Sequence, residues 1–167
     1  VATVYIPLDP AAAIFRTTAF PALVQANGTN IPVRGLAFDA STDEVAWFRF
    51  RAVRYGSGNL TLDLDWYADT ASTNSVVWGA AIAAITPDSD SQDIETDSLA
   101  TAQTVTDAHL GTTGQRLHRA VLTISNLDSI AADDYVVLQV YRDADNGSDN
   151  MTGDAILVWA TLSYSDT

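Results

Sequence analysis

Cysteine and lysine are both missing from the 167 residues of this chain. Without cysteine there is neither a disulfide nor a thiolate metal site, so the fold must rest on apolar burial and strand pairing. Without lysine, the only basic side chains besides the two histidines are eight arginines, set against 19 Asp and 2 Glu, and the formal net charge is −13. Phosphate backbones and anionic membrane surfaces are held by Lys/Arg patches, so the sequence predicts neither a nucleic-acid nor a membrane partner. Lysine loss with Asp enrichment also fits a GC-rich genome or a saline habitat.

Long apolar runs are missing too. A membrane-spanning helix needs roughly 18 apolar residues in a row, and the longest candidate, Val76 to Ile85, has 10. The first residues lack the basic start and apolar core of a signal peptide. Catalytic signatures are equally scarce. His109 and His118 are the only imidazoles, neither lies in an HExxH motif, and there is no GxSxG elbow or phosphate-cradling glycine loop. With 19 Asp residues some carboxylate pair is bound to form in three dimensions, so a hydrolase acting on polysaccharide through paired Asp is the weakest expectation. The sequence predicts a non-enzyme.

What is present is alternation. In Asn59 to Tyr67, Leu60, Leu62, Leu64 and Trp66 oppose Thr61, Asp63, Asp65 and Tyr67, a period of two that marks a strand with one wet face. Glu44 to Val53 sets Ala46, Phe48, Phe50 and Ala52 against Val45, Trp47, Arg49, Arg51 and Val53. Ser75 to Ile85 is apolar on both faces, and its β-branched and Trp residues favour a central buried strand over a buried helix. Arg116 to Ile124, Tyr135 to Tyr141 and Ala155 to Tyr164 alternate again, the last with Ile156, Val158, Ala160, Leu162 and Tyr164 on one side. Thr86 to Gln115 is weakly patterned but too long for a structureless loop, which predicts a strand near Ala100 to Thr106.

These strands and the polar turns between them predict an all-β fold, an antiparallel β-sandwich of jelly-roll type. Residues 31–167 form its single domain. Residues 1–30, with Pro7, Pro10 and Pro21, read as an extended N-terminal arm with short edge strands.

Two places invite a functional reading. Asp143 to Asp154 superficially resembles a calcium loop, with Asp143, Asp145 and Asp149 as the ligands. Its glycine and acidic spacing miss the EF-hand pattern and its flanks are strands, so the favoured reading is a wet hairpin tip in which Asn146-Gly147 supplies positive φ. No metal or other cofactor is therefore expected. Trp47, Arg49 and Arg51, with Arg54 beside them, gather an aromatic and several cations on one strand face. They could dock an acidic partner, stack on a sugar, or simply pair with the chain's own carboxylates. Trp66 is a second stacking candidate. His118, on an apolar strand face, reads as a core or interface histidine. Asn27, Asn59, Asn146 and Asn150 each open an N-x-S/T sequon.

Leu36-Ala37-Phe38-Asp39-Ala40-Ser41-Thr42-Asp43-Glu44 running into an aromatic strand, and Tyr141 to Asp149 running into the last one, resemble small structural proteins of tailed bacteriophages. Ile6-Pro7-Leu8-Asp9-Pro10 and Val76-Val77-Trp78-Gly79-Ala80 extend the resemblance over most of the chain. It implies a virion component made in the host cytoplasm and carried on the particle surface. In that reading the chain is a head decoration protein bound to the major capsid protein of the assembled shell, as a homo-oligomer and by preference a trimer. The alternative is a receptor- or carbohydrate-binding module on a tail fibre. No site residue follows from the resemblance.

Overall fold

The alternating runs become strands because one side of each is apolar enough to be removed from water while the other stays wet. The computed structural model describes residues 1–167. In chain order they form β1 (Thr3–Leu8), a short 3-10 turn (Pro10–Ala12), β2 (Ala22–Ala26), β3 (Val33–Phe38), β4 (Val45–Arg51), β5 (Ser57–Ala68), β6 (Ser75–Ile85), β7 (Gln103–Ala108), β8 (His118–Ile124), β9 (Tyr135–Arg142) and β10 (Ala155–Ser165). No helix is long and apolar enough to cross a membrane.

Two antiparallel sheets result. Sheet A has six strands in the order β2-β3-β10-β5-β8, with β1 paired to β10 beyond the end of β3; sheet B runs β4-β9-β6-β7. The expected all-β sandwich is the observed architecture. Its core lies between the sheets, where Leu60, Leu62, Leu64 and Trp66 of β5 face Ala46, Phe48 and Phe50 of β4 and the matching side of β6 and β9. Trp78 meets Phe38 edge-on at 5.1 Å and Trp66 at 6.3 Å, the geometry in which aromatic pairs attract. Ser75 to Ile85 is the central strand its composition predicts, hydrogen-bonded on both sides.

Residues 1–30 supply short strands to the sandwich itself: β1 pairs with β10 over six positions, and β2 closes the end of sheet A against β3. β3 carries little alternation and was not anticipated as a strand. β7, at Gln103–Ala108, overlaps the stretch expected for it and starts three residues later.

Two expectations need correction. The period of the last strand breaks at a bulge between Leu157 and Trp159. One extra residue turns the side chains over, so Ala155, Leu157, Ala160, Leu162 and Tyr164 face the core, while Ile156 and Val158 join Ala37, Tyr67, Val24 and Val33 in a small apolar cluster outside it. The acidic segment after β9 is not a hairpin, because β9 belongs to sheet B and β10 to sheet A. It crosses between sheets, and the positive φ expected at Asn146-Gly147 is absent. Two tight turns replace it, closed by Asn146 N donating to Asp143 O (3.2 Å) and Asp149 N to Asn146 O (2.8 Å).

Candidate binding groove

Pairing register fixes what the outer face of sheet B presents. Side chains opposite one another across antiparallel strands share a face, which gives the rows Val45-Tyr141-Gly79, Trp47-Gln139-Ala81, Arg49-Val137-Ala83 and Arg51-Tyr135-Ile85. The β6 column is Gly, Ala, Ala, Ile, so the middle of the face is low while aromatics stand beside it. Gly79 is required there: a Cβ at this position would sit inside the ring of Tyr141. Burial pushes the Tyr141 phenol up from its ordinary pKa, with Asp143 and Asp43 adding to the effect.

Walls rise on both sides of this floor. Ile14 bridges to Trp47 through two backbone hydrogen bonds, Ile14 N to Trp47 O (2.8 Å) and Trp47 N to Ile14 O (3.0 Å), which lays residues 14–16 along the edge of β4. On the far side Ala100 N donates to Ile82 O (2.8 Å), and the turn closed by Asp97 N on Asp93 O (2.9 Å) brings Ile94, Glu95, Asp97 and Leu99 over β6. Between them is a groove of about 410 Å³ whose floor is Trp47, Val137, Ala83 and Ile85. A second recess, of about 480 Å³ and lined by Arg49, Arg51, Pro87, Asp133 and Tyr135, adjoins it on the same face.

The groove is apolar with a few polar groups, the usual make-up of a small-molecule site. Trp47 is half-buried, and the Arg16 guanidinium lies over its ring at 4.7 Å from the centroid. Two of its lining residues each carry a polar atom that is shielded from solvent and bonded to nothing: Nε1 of Trp47 and Oδ2 of Asp97. Asp97 Oδ1 is occupied by the Ser98 amide at 2.8 Å. An unmet buried donor or acceptor costs about 1–3 kcal/mol. One of these two wants an acceptor and the other a donor.

The residues singled out from sequence separate accordingly. Trp47 is in the groove, and Arg49 and Arg51 line the neighbouring recess, where Arg51 also contacts Asp133 at 3.6 Å. Arg54 pairs with Asp166 at 2.8 Å and takes no part. Trp66 is fully buried in the core with Nε1 donating to Asp107 at 2.7 Å, so it offers no stacking surface. Exposed indole instead appears at Trp159, on the outer face of sheet A, put there by the bulge. Asp97, Glu95 and Arg16 were not anticipated. Nothing in a weakly patterned loop or an arm marks a residue as facing a groove on another part of the chain.

Of the three carboxylates considered for calcium, Asp143 and Asp145 come together, joined not by Asp149 but by Asp43, with ligand oxygens all within 4.8 Å of one another. Asp149 is taken by Arg142, to which it is bonded at 2.7 and 2.9 Å. The cluster is repulsive: the Asp43 charge is the main reason that Asp145 is held above the ordinary carboxylate range. Two contacts partly offset this, Asp43 Oδ1 accepting from the Ala144 amide at 2.8 Å and Asp143 Oδ2 from Asn146 Nδ2 at 2.9 Å.

Fold and groove together define an antiparallel β-sandwich with a concave site over its smaller sheet. No family model matches the chain, and no curated protein does. Among solved structures, it is similar to the C-terminal CBM6 of LamC, a laminarinase from Zobellia galactanivorans, with a TM-score of 0.47, 10% identity, and coverage of 96% of this chain and 98% of that one. It is similar also to a family 11 carbohydrate-binding module from Clostridium thermocellum in complex with a β-1,3-1,4-mixed-linked tetrasaccharide, at a TM-score of 0.47 and 10% identity, covering 95% and 94% of the two chains. A CBM36 module in complex with calcium and xylotriose gives 0.43 and 12%, over 97% and 99%.

Proposed function

We propose that this chain is a non-catalytic module that binds neutral glycan in the groove over sheet B, with Trp47 as the stacking surface and Asp97 as the main hydrogen-bond acceptor. The observation that carries the reading is the pair of unsatisfied polar atoms, Trp47 Nε1 and Asp97 Oδ2, on two residues that line one groove, within reach of a ligand that shifts these side chains. A hydroxyl group both donates and accepts, so a ligand bearing several of them satisfies both atoms. An ammonium group would meet Asp97 and, having no acceptor, leave the indole N–H unpaired. The apolar C–H face of a pyranose ring suits Trp47, Val137 and Ala83. Glu95 and Asp97 in the wall, on a chain of net charge −13, repel sulfated and uronate-rich chains, which is why the ligand is neutral.

Affinity gel electrophoresis against soluble glucans, mannans and xylans, with a polyuronate for contrast, tests this. Migration should be retarded by at least one neutral glycan and not by the polyuronate, and Trp47→Ala should abolish the retardation. No retardation by any of them, or retardation indifferent to Trp47→Ala, overturns it.

A place on a phage particle rests on the sequence resemblance alone. Within that setting the groove supports a receptor-binding role over decoration of a capsid shell. Mass spectrometry of purified particles separates the two: a receptor-binding module is present at tail-like copy number, a decoration protein at a simple fraction of the capsid subunit count.

A further inference from the structure

The outer ends of the two sheets differ in how they are protected. Part of the β4 edge is capped at Trp47 by the Ile14 bridge, and β7 and β8 pack against one another where the sheets meet. β2 has no such cover. Its only strand partner is β3, in unbroken register from Ala22↔Ala37 to Ala26↔Val33, and no turn or loop hydrogen bond engages residues 22–26.

Natural sheets blunt a free edge with charge, proline or a bulge. Ala22-Leu23-Val24-Gln25-Ala26 has none of these. The lack of charge reaches further, from Thr17 to Val33, 17 residues without an ionisable side chain in a chain of net charge −13. Almost all of this stretch is exposed, and three of its apolar side chains stand well into solvent: Phe20 (43%), Leu23 (54%) and Ile31 (70%). Arg16 and Arg34 bound it on either side. Two copies of so acidic a protein repel one another over most of their surfaces. Along this stretch they can approach without like charges meeting: its neighbours in the chain are cations, Arg16 and Arg34, and the nearby carboxylates, Asp69 and Asp154, lie in a recess on the sheet face behind Val24, Gln25 and Ala26.

We infer that β2 pairs antiparallel with β2 of a second copy of this chain, joining two six-stranded sheets into one continuous sheet across a two-fold axis. Such an interface is isologous and closes at two copies, so the chain forms a dimer rather than the trimer implied by the family resemblance. A five-residue edge, with Leu23 exposed on it and Phe20 and Ile31 exposed beyond its two ends, is small for a permanent interface, so the dimer depends on concentration. It also strengthens with added salt, because screening reduces the repulsion between the acidic bodies while leaving strand pairing intact. An interface built on ion pairs would do the reverse.

Sedimentation velocity on the full chain, over a range of protein and salt concentrations, is the test. The wild type should pass from monomer to dimer as concentration rises, with more dimer at high salt. Leu23→Lys, at an exposed position, should weaken the dimer at least tenfold by placing a cation on each copy at the shared edge. In parallel, amide hydrogen exchange on the wild type should show β2 protected at high and unprotected at low concentration, a readout that stands even if the variant folds poorly. A monomer at every concentration overturns the proposal. So does a dimer or trimer whose formation leaves β2 exchange unchanged.

Discussion

Arg142 and Asp149 form a fully buried, two-pronged ion pair. Nε donates to Oδ2 at 2.9 Å and Nη2 to Oδ1 at 2.7 Å, with both side chains essentially out of water. The same guanidinium donates to the carbonyls of Gly153 (2.9 Å) and Met151 (2.6 Å), and Asp149 Oδ2 also accepts from the Val77 amide at 3.0 Å. One arginine thus gathers the acidic crossing between β9 and β10 and ties it to β6. This satisfies every condition under which a buried pair is costly to break from one side.

Asp149→Ala should therefore be severely destabilising, by about 3–5 kcal/mol, because it strands a buried cation. Urea unfolding measures it. Replacing both partners by apolar residues of similar volume should cost less than either single change.

The Asp43, Asp143 and Asp145 cluster gives the opposite sign. Repulsion from Asp43 raises Asp145 in the folded state, so the fold binds its proton more readily than the unfolded chain, and stability falls as pH rises through the shifted range. Asp145→Asn should raise the melting temperature at neutral pH. The gain should vanish in acid, where the carboxyl is protonated in either state. Thermal melts of both proteins against pH check this.

His118 responds to acid in the other direction. Burial is the main cause of its lowered pKa, and His109, with ring centroids 4.4 Å apart, lowers it further, while Asp107 and a hydrogen bond to the Arg116 backbone oppose them. Its Nε2 accepts from the Leu110 amide at 2.9 Å, a bond that requires the unprotonated nitrogen. The unfolded chain takes up this proton first, so stability is present above the ordinary imidazole range and is lost as pH falls through the lowered pKa. Denaturant midpoints should drop on acidification below about pH 6.5, and His118→Gln should flatten that part of the curve.

Arg16 occupies part of the surface that a sugar ring would stack on. Cation–π contact at exposed sites is worth about 0.5–1 kcal/mol, so removing it should free the indole face at that gain. Arg16→Ala should bind glycan about 2–5 times more tightly than wild type by isothermal titration calorimetry.

Much of this was legible in the alternation of residues. Where one face of a strand is uniformly apolar, as in β5 and β4, period two names the core side chains directly: Leu60, Leu62, Leu64 and Phe48 are where it puts them. It also put Trp47, Arg49 and Arg51 outside. It failed where long-range events reset the local rule. The β10 bulge turned Ile156 outward, a change no residue type announces. Asp149 read as part of a wet turn because charge usually is solvated; only the crossing between sheets buries it against Arg142. Trp66 shares the apolar face of Leu60, Leu62 and Leu64, so the alternation already pointed it at the core, against its reading as a stacking candidate. Asp97 became visible only once its loop lay across β6.

The most direct test of the glycan reading follows the four indole N–H resonances of the 15N-labelled protein during titration with a bound oligosaccharide. The Trp47 signal should move and saturate, reporting a new acceptor for its unpaired Nε1. Those of core residues Trp66 and Trp78, and of Trp159 on the opposite sheet, should stay in place. A ligand that moves Trp159 and leaves Trp47 unchanged would contradict the assignment of the groove.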